Sequence, residues 1–271
     1  MPITKTSDSA VWRKRTTLQQ WVLWGSWFLL VAFFIFCWQV MTKDTIWYFV
    51  ADAPTQAADL GGRMFPPRWS YIEVLWAPLW DTLNIATLGT LLGIAIAIPV
   101  AFLAARNTTP SVLFIRPIAL FIIVSSRSIN SLIWALLLVA IIGPGILAGI
   151  VAIGLRSIGF VAKLLYEAIE EIDETQVEAI SATGASSAQV VDYAIVPQVL
   201  PAFFGISVFR WDINIRESTI LGLVGAGGIG LQLQASLNVL AWPQVTMIFV
   251  VILGTVVLSE WVSAKVRHAI I

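Results

Sequence analysis

Apolar residues in this chain fall into long unbroken runs rather than alternating or helical-period stripes. A helix needs about 20 predominantly apolar residues to cross a bilayer. Trp21 to Met41 meets that length with no charge inside it. Further runs extend from about Leu79 to Ala105, Ile129 to Ile142, Gly145 to Leu165 (broken by Arg156), Leu200 onward with charges from Arg210, and Val245 to Val262. The pattern predicts six spans and an all-α integral membrane protein. A piece before the third run, Val112 to Val124, is interrupted by Arg116–Pro117. It reads either as an amphipathic elbow or as the start of a long kinked span. The first run is long for a secretory signal and no small-residue cleavage site follows it, so an uncleaved span is expected.

Basic residues orient these spans. Lys5, Arg13, Lys14 and Arg15 precede the first against Asp8, Arg106 and Arg116 follow the second, and Lys265 and Arg267 follow the last. Positive-inside bias places both termini in the cytoplasm. Residues 1–20 are then a cytoplasmic segment and 21–271 one transmembrane domain. Within it, 42–78 face outside, and 167–199 form a cytoplasmic loop.

Composition agrees: 58% of residues are hydrophobic and 12% charged, where soluble domains carry about 25% charge. Net charge is zero, which gives no reason to expect nucleic acid. One cysteine and one histidine leave little for a disulfide, a metal site or a histidine-based triad, so no metal site and no catalytic residues are expected. The carboxylates Glu167, Glu170, Glu171, Asp173 and Glu174 read as a wetted helix end.

The cytoplasmic loop carries two short helix signals. Asp173 with Gln176 and Ser186 with Gln189 have capping-box spacing. Gly184 suits the left-handed residue that ends a helix. Val190, Val191, Ala194 and Ile195 form a second apolar stripe, which Pro197 is expected to close. Two helices on a glycine turn are either an interfacial hairpin or a protrusion shaped to dock in a partner's groove.

Charge inside the fifth run is the second signal. Arg210 lies roughly 15 Å along a helix from Leu200, near mid-depth of the hydrocarbon. Charges there must be paired or wetted. Arg210, Asp212, Arg216 and Glu217 therefore read as internal pairs or as the lining of an anion path. Arg210 and Asn214 point within about 40° of one another, whereas Arg216 is roughly 120° from Arg210. Arg210 and Asn214 are expected to face the path, and Arg216 to pair locally, with Glu217 or across a dimer. Arg127, Ser128, Asn130 and Ser131 make another polar cluster, either anchoring an interface or lining the same path. Gly225, Gly227 and Gly230 spell G-x-G-x-x-G, but no acid follows about 20 residues on, so a nucleotide site is rejected in favour of a glycine turn at the outer end of the span.

Glu178, Ala179, Gly184, Val196 and Pro197 resemble the cytoplasmic EAA motif of ABC importer permeases, with Ile180 in place of its second alanine. The stretches Gly143 to Lys163, LLYEAIEEID from Leu164, VPQVLP from Val196, Arg210–Trp211, Asn214–Ile215–Arg216 and LGLVGAGGIG from Leu221 are similar to phosphonate-importer permeases, including phosphite-linked relatives. The resemblance implies a type I importer permease fold. It implies ATPase coupling through Glu178, Ala179, Gly184, Ala185, Ser186 and Pro197, and a gate at Gly225, Gly227, Gly228 and Gly230. It also implies a bacterial inner-membrane location, with a second permease copy, two ATPase subunits and an extracytoplasmic substrate-binding protein as partners. No cofactor would be bound by this chain; ATP and Mg would be used by the ATPase, and the chain has no phosphate loop of its own. Many relatives carry Pro-Glu or Asn-Glu where this chain has Asn130–Ser131, which makes phosphite a live option beside phosphonate. The alternatives are a permease for another small solute such as methionine, whose permeases share the glycine segment, and a secondary transporter, which should often show inverted repeats; no clear internal repeat is seen.

Overall fold

The computed structural model describes residues 3–6, 9–12 and 15–270. Asp8, Arg13 and Lys14, on which part of the orientation argument rests, lie outside the described residues. The chain divides into two units, Met1–Asp59 and Leu60–Ile271.

In the first unit, strands β1 (Ile3–Thr6) and β2 (Ser9–Trp12) pair antiparallel. Helix α1 (Thr17–Thr42) begins at a capping box in which Thr16 and Gln19 satisfy each other's backbone N–H groups. None of its residues is buried. Helix α2 (Trp47–Met64), in a stretch expected to be an external loop, straddles the boundary between the units. Asp52, Thr55, Gln56, Asp59 and Arg63 share one side of it, at spacings of three and four.

The second unit is built on α3 (Ile72–Ala104) and α6 (Ile146–Glu170). Both bury small residues. A Cβ added at Gly93 would lie 2.5 Å from Ser157 Cβ, and one at Gly154 2.8 Å from Leu92 Cδ2. Lipid offers apolar side chains no hydrophobic drive to associate, so close backbone approach through small residues supplies the packing instead. Helix α9 (Val196–Leu221) packs on α3 and α6, and α11 (Trp242–Ile270) packs on α9.

Between α3 and α6 lie α4 (Ile115–Ser128) and α5 (Ser131–Ile142), which meet at 88°. Of the 112–124 piece, residues 112–114 form a turn and the rest lies in α4. Asn130 ends the break by accepting a hydrogen bond from the Leu132 N–H at 3.1 Å, an N-cap that starts α5 in a new direction. Among the described residues five helices are long and apolar enough to cross a membrane, and the bent pair makes a sixth if taken as one span.

The cytoplasm-assigned loop forms α7 (Glu174–Ala182) and α8 (Ser187–Val190), with Asp173 and Ser186 as their caps. Pro197 does not close the second helix. A π-helical turn, Val191–Ile195, runs directly into α9, and Pro197 occupies its first turn. After α9, a 3-10 turn (Gly222–Val224) and a glycine turn lead to α10 (Ile229–Asn238), a short helix that hydropathy did not reveal.

Candidate functional site

Helix α9 brings its charges into two sets. Arg210 and Glu217 are seven residues apart, almost two full turns, so they share a face. Arg210 Nη2 lies 3.5 Å from Glu217 Oε2, and Arg156 Nε on α6 lies 3.5 Å from Glu217 Oε1. Arg210 Nε donates to Ser157 Oγ at 3.0 Å, and its guanidinium stands 5.1 Å from the Phe160 ring centroid. Arg210 is only 1% exposed. Asn214, one turn on, donates from Nδ2 to Thr90 Oγ1 at 2.7 Å and to Ser157 Oγ at 3.0 Å, while its Oδ1 is buried with no partner among the described residues. The two side chains expected to face an open path are therefore enclosed by helices of their own chain. The helical wheel gave their common direction correctly but not which side of α9 the core occupies.

Arg216 pairs locally, but with Asp212 one turn earlier rather than with Glu217. Asp212 is buried, and its other oxygen accepts from Ser259 Oγ on α11 at 2.7 Å. The Arg216 side chain remains 46% exposed. It lies on a stripe of α9 with Phe209, Ile220 and the half-buried Ile213. This stripe, and not the Arg210 face, is the side of α9 that the other helices leave open.

The cluster at the junction of α4 and α5 also divides. Asn130 caps α5 and accepts from Ser131 Oγ at 3.2 Å, Ser131 is buried, and Ser128 donates to the Val124 carbonyl at 2.8 Å. Arg127 is exposed. Its neighbour Ser126, which sequence reasoning passed over, donates to the Leu155 carbonyl and accepts from the Gly159 N–H at 2.8 Å. One hydroxyl so bridges both ends of a single rung of α6. Nothing in the sequence separates Ser126 from other serines in apolar helices.

At the α6 end of the unit, Arg116 Nε donates to the Ala104 carbonyl at 2.9 Å and Nη2 lies 3.2 Å from Glu170 Oε1; the same oxygen accepts from the Arg106 N–H at 2.9 Å. The end of α3, the start of α4 and the end of α6 are thus tied just before α7. The loop is closed at its base by Gln198, whose Oε1 accepts from the Asp173 N–H at 3.0 Å. Above that clasp Glu178, Ala179, Gly184, Ser186 and Pro197 are exposed and Ala185 is half-buried, so no element among the described residues covers them.

At the opposite end of α9, Gly225, Gly227 and Gly228 have φ of 89°, 85° and 75°, a run open to glycine and costly for other residues. Gly230 sits against α9 itself. A Cβ there would come 2.0 Å from the Thr219 carbonyl oxygen. The turn is also pinned from outside: the Gly145 N–H donates to Gly225 O at 3.0 Å and the Ile229 N–H to Thr82 Oγ1 at 2.8 Å.

Comparison with known proteins places these features in company. Residues 89–267 match the family model described as binding-protein-dependent transport system inner membrane component. The chain is 39% identical over 231 residues to the phosphite transport system permease protein PtxC of Stutzerimonas stutzeri, which covers 85% of this chain and 83% of that protein. It is 35% identical over 209 residues to the putative phosphite transport system permease protein HtxC of the same organism, 77% of this chain and 74% of the relative. Among solved structures, a chain of the MetNI methionine ABC transporter in inward-facing conformations superposes with a TM-score of 0.65 at 22% identity, over 75% of this chain and 99% of that one.

Proposed function

The chain belongs to the binding-protein-dependent transport system inner membrane components, and from that premise we propose that it is the permease subunit of an ABC importer for a phosphite- or phosphonate-type anion. The observation that carries the choice of an anion is the charge balance within the spans. Arg156 and Arg210 share the single carboxylate Glu217, and Arg216 is matched by Asp212. Around Glu217 two guanidiniums thus meet one carboxylate, a local surplus of one positive charge between α6 and α9. A fixed surplus at that level favours anions over a zwitterion such as methionine.

In this reading 42–78 face outside, 167–199 and both termini face the cytoplasm, and 21–271 act as one permease domain. Glu178, Ala179, Gly184, Ala185, Ser186 and Pro197 meet a groove of a separate ATPase, which uses ATP and Mg, as an exposed helix pair does. Two permease copies stand over two ATPase subunits, with an extracytoplasmic binding protein delivering the anion. Arg127, Ser128, Asn130 and Arg216 lie toward the path. Arg210, Asn214, Glu217 and Ser131 hold its walls in register, and Gly225, Gly227, Gly228 and Gly230 form the outer gate.

The test is uptake into vesicles holding the complex assembled from this chain with a cognate ATPase and binding protein. ATP-dependent accumulation of phosphite or methylphosphonate is expected. Accumulation of D-methionine with no phosphorus oxyanion would overturn the reading.

A further inference from the structure

Helices α4 and α6 enclose a cleft of about 460 Å³, lined by Leu120, Ile123, Val124, Arg127, Lys163 and Tyr166 among others. Its charges do not balance. Lys163 is ion-paired with Glu167, its i,i+4 neighbour, and donates to Tyr166 Oη at 3.0 Å. Arg127 has neither an acceptor nor a carboxylate among the described residues, and it is exposed.

The position of Arg127 makes that imbalance consequential. A Cβ built at Gly159 would lie 2.8 Å from Arg127 Cγ, so the arginine stem runs across that glycine. Gly159 is about halfway along α6, a helix long and apolar enough to span a bilayer. An uncompensated arginine facing lipid at mid-span costs roughly 3 kcal/mol even on the lenient insertion scale. The backbone that carries it is held in place, because Ser126 is fastened to α6 at Leu155 and Gly159. The Tyr166 hydroxyl accepts from Lys163 and so retains its own proton to donate.

We propose that this cleft is a transit site for a phosphate-type oxyanion, with Arg127 supplying the charge and Tyr166 a second donor. The proposal rests on the anion-permease reading and adds the contact residues. Arginine matches a tetrahedral oxyanion with a fork of donors. One unpaired cation and one hydroxyl, against walls of leucine, isoleucine and valine, hold such an ion weakly enough to release it. The same chemistry would accept the headgroup of an anionic lipid, so the experiment must separate the two.

The complex is reconstituted in vesicles of purely zwitterionic lipid, and phosphite uptake and ATP hydrolysis are read separately. Arg127→Gln is expected to lower uptake about tenfold or more, with hydrolysis stimulated by the binding protein retained, and Arg127→Lys to keep most of the uptake. Tyr166→Phe is expected to lower uptake about threefold. Unchanged uptake in Arg127→Gln overturns the proposal, as does failure of that variant to assemble, which would give Arg127 a structural role. A defect seen only when anionic lipid is added assigns the cleft to a headgroup and removes it from the path. Failure of the unaltered complex to move any phosphorus oxyanion sinks the permease reading instead, whatever Arg127 does.

Discussion

Glu217 stands between Arg210 and Arg156, one carboxylate oxygen turned to each, both at 3.5 Å. The two arginines come from different helices, so this carboxylate is an electrostatic bolt between α6 and α9. Glu217→Gln leaves both charges uncompensated, one of them almost wholly buried. A loss of about 3 kcal/mol is expected, read as a lower unfolding temperature of the purified complex in detergent. Adding Arg210→Gln to Glu217→Gln should recover part of that loss. If the double variant is as unstable as the sum of the two single variants, the residues do not act as a pair.

Arg210→Gln alone should lower the yield of folded protein more than Arg216→Gln does. Arg210 is buried with three partners, whereas the Arg216 side chain is nearly half exposed beside one. Quantifying membrane-inserted, monodisperse protein for each variant decides it; equal yields would show that burial in one protomer does not set the cost.

Ser126→Ala removes a hydroxyl that serves two backbone groups of α6. About 1 kcal/mol of stability should go with it, and hydrogen exchange at the Gly159 amide should quicken. Gly159→Ala should be worse, because the added methyl would lie 2.6 Å from the Ile123 carbonyl oxygen and 2.7 Å from Ser126 Oγ, forcing α4 away. An unaltered Gly159 exchange rate in Ser126→Ala would mean that the hydroxyl bridge is not formed in solution.

Gly184 has φ of 81° and open space around its Cα. The penalty for a side chain there is purely conformational, about 1–2 kcal/mol for a β-branched residue. Gly184→Val should weaken co-purification of the ATPase and lower uptake, while Gly184→Asn, which tolerates the left-handed region, should stay close to the parent. Equal loss in both variants would point to a contact that needs the glycine surface itself.

Gly230→Ala places a methyl 2.0 Å from a backbone oxygen of α9, an overlap that no rotamer relieves. The turn after α9 should open permanently. Cysteines introduced on either side of it should react with a water-soluble thiol reagent at the same rate with and without ATP, whereas in the parent turn the rate should depend on nucleotide. Parental behaviour in Gly230→Ala would make this turn a static joint.

Hydropathy alone located the long helices because lipid demands unbroken apolar runs, and cap residues marked α7 and α8 correctly. Four features were hidden. Pro197 reads as a stop in sequence, yet a proline suits the beginning of a helix equally well, and only the π-helical turn before it decides between the two. The direction of Arg210 depends on partners more than fifty residues away, such as Ser157, and the Asn214 partner Thr90 is farther still. The role of Ser126 depends on a crossing between α4 and α6 that has no local signature. The tie between Arg116 and Glu170 was equally invisible, although each residue had been noticed for its charge.

Helix α9 joins the loop that resembles the EAA motif to the glycine turn without a break. Its 26 residues make a rod about 39 Å long. Such a rod conveys angle well and length poorly. It is fastened to α6 at Arg210, Asn214 and Glu217, nearer the glycine end than the loop end, which would make that stretch a fulcrum with unequal arms. Swing at the long arm would then reach the short arm reduced in travel and reversed in direction. A broad sweep at the loop end would then become a small, opposed displacement at the glycine turn.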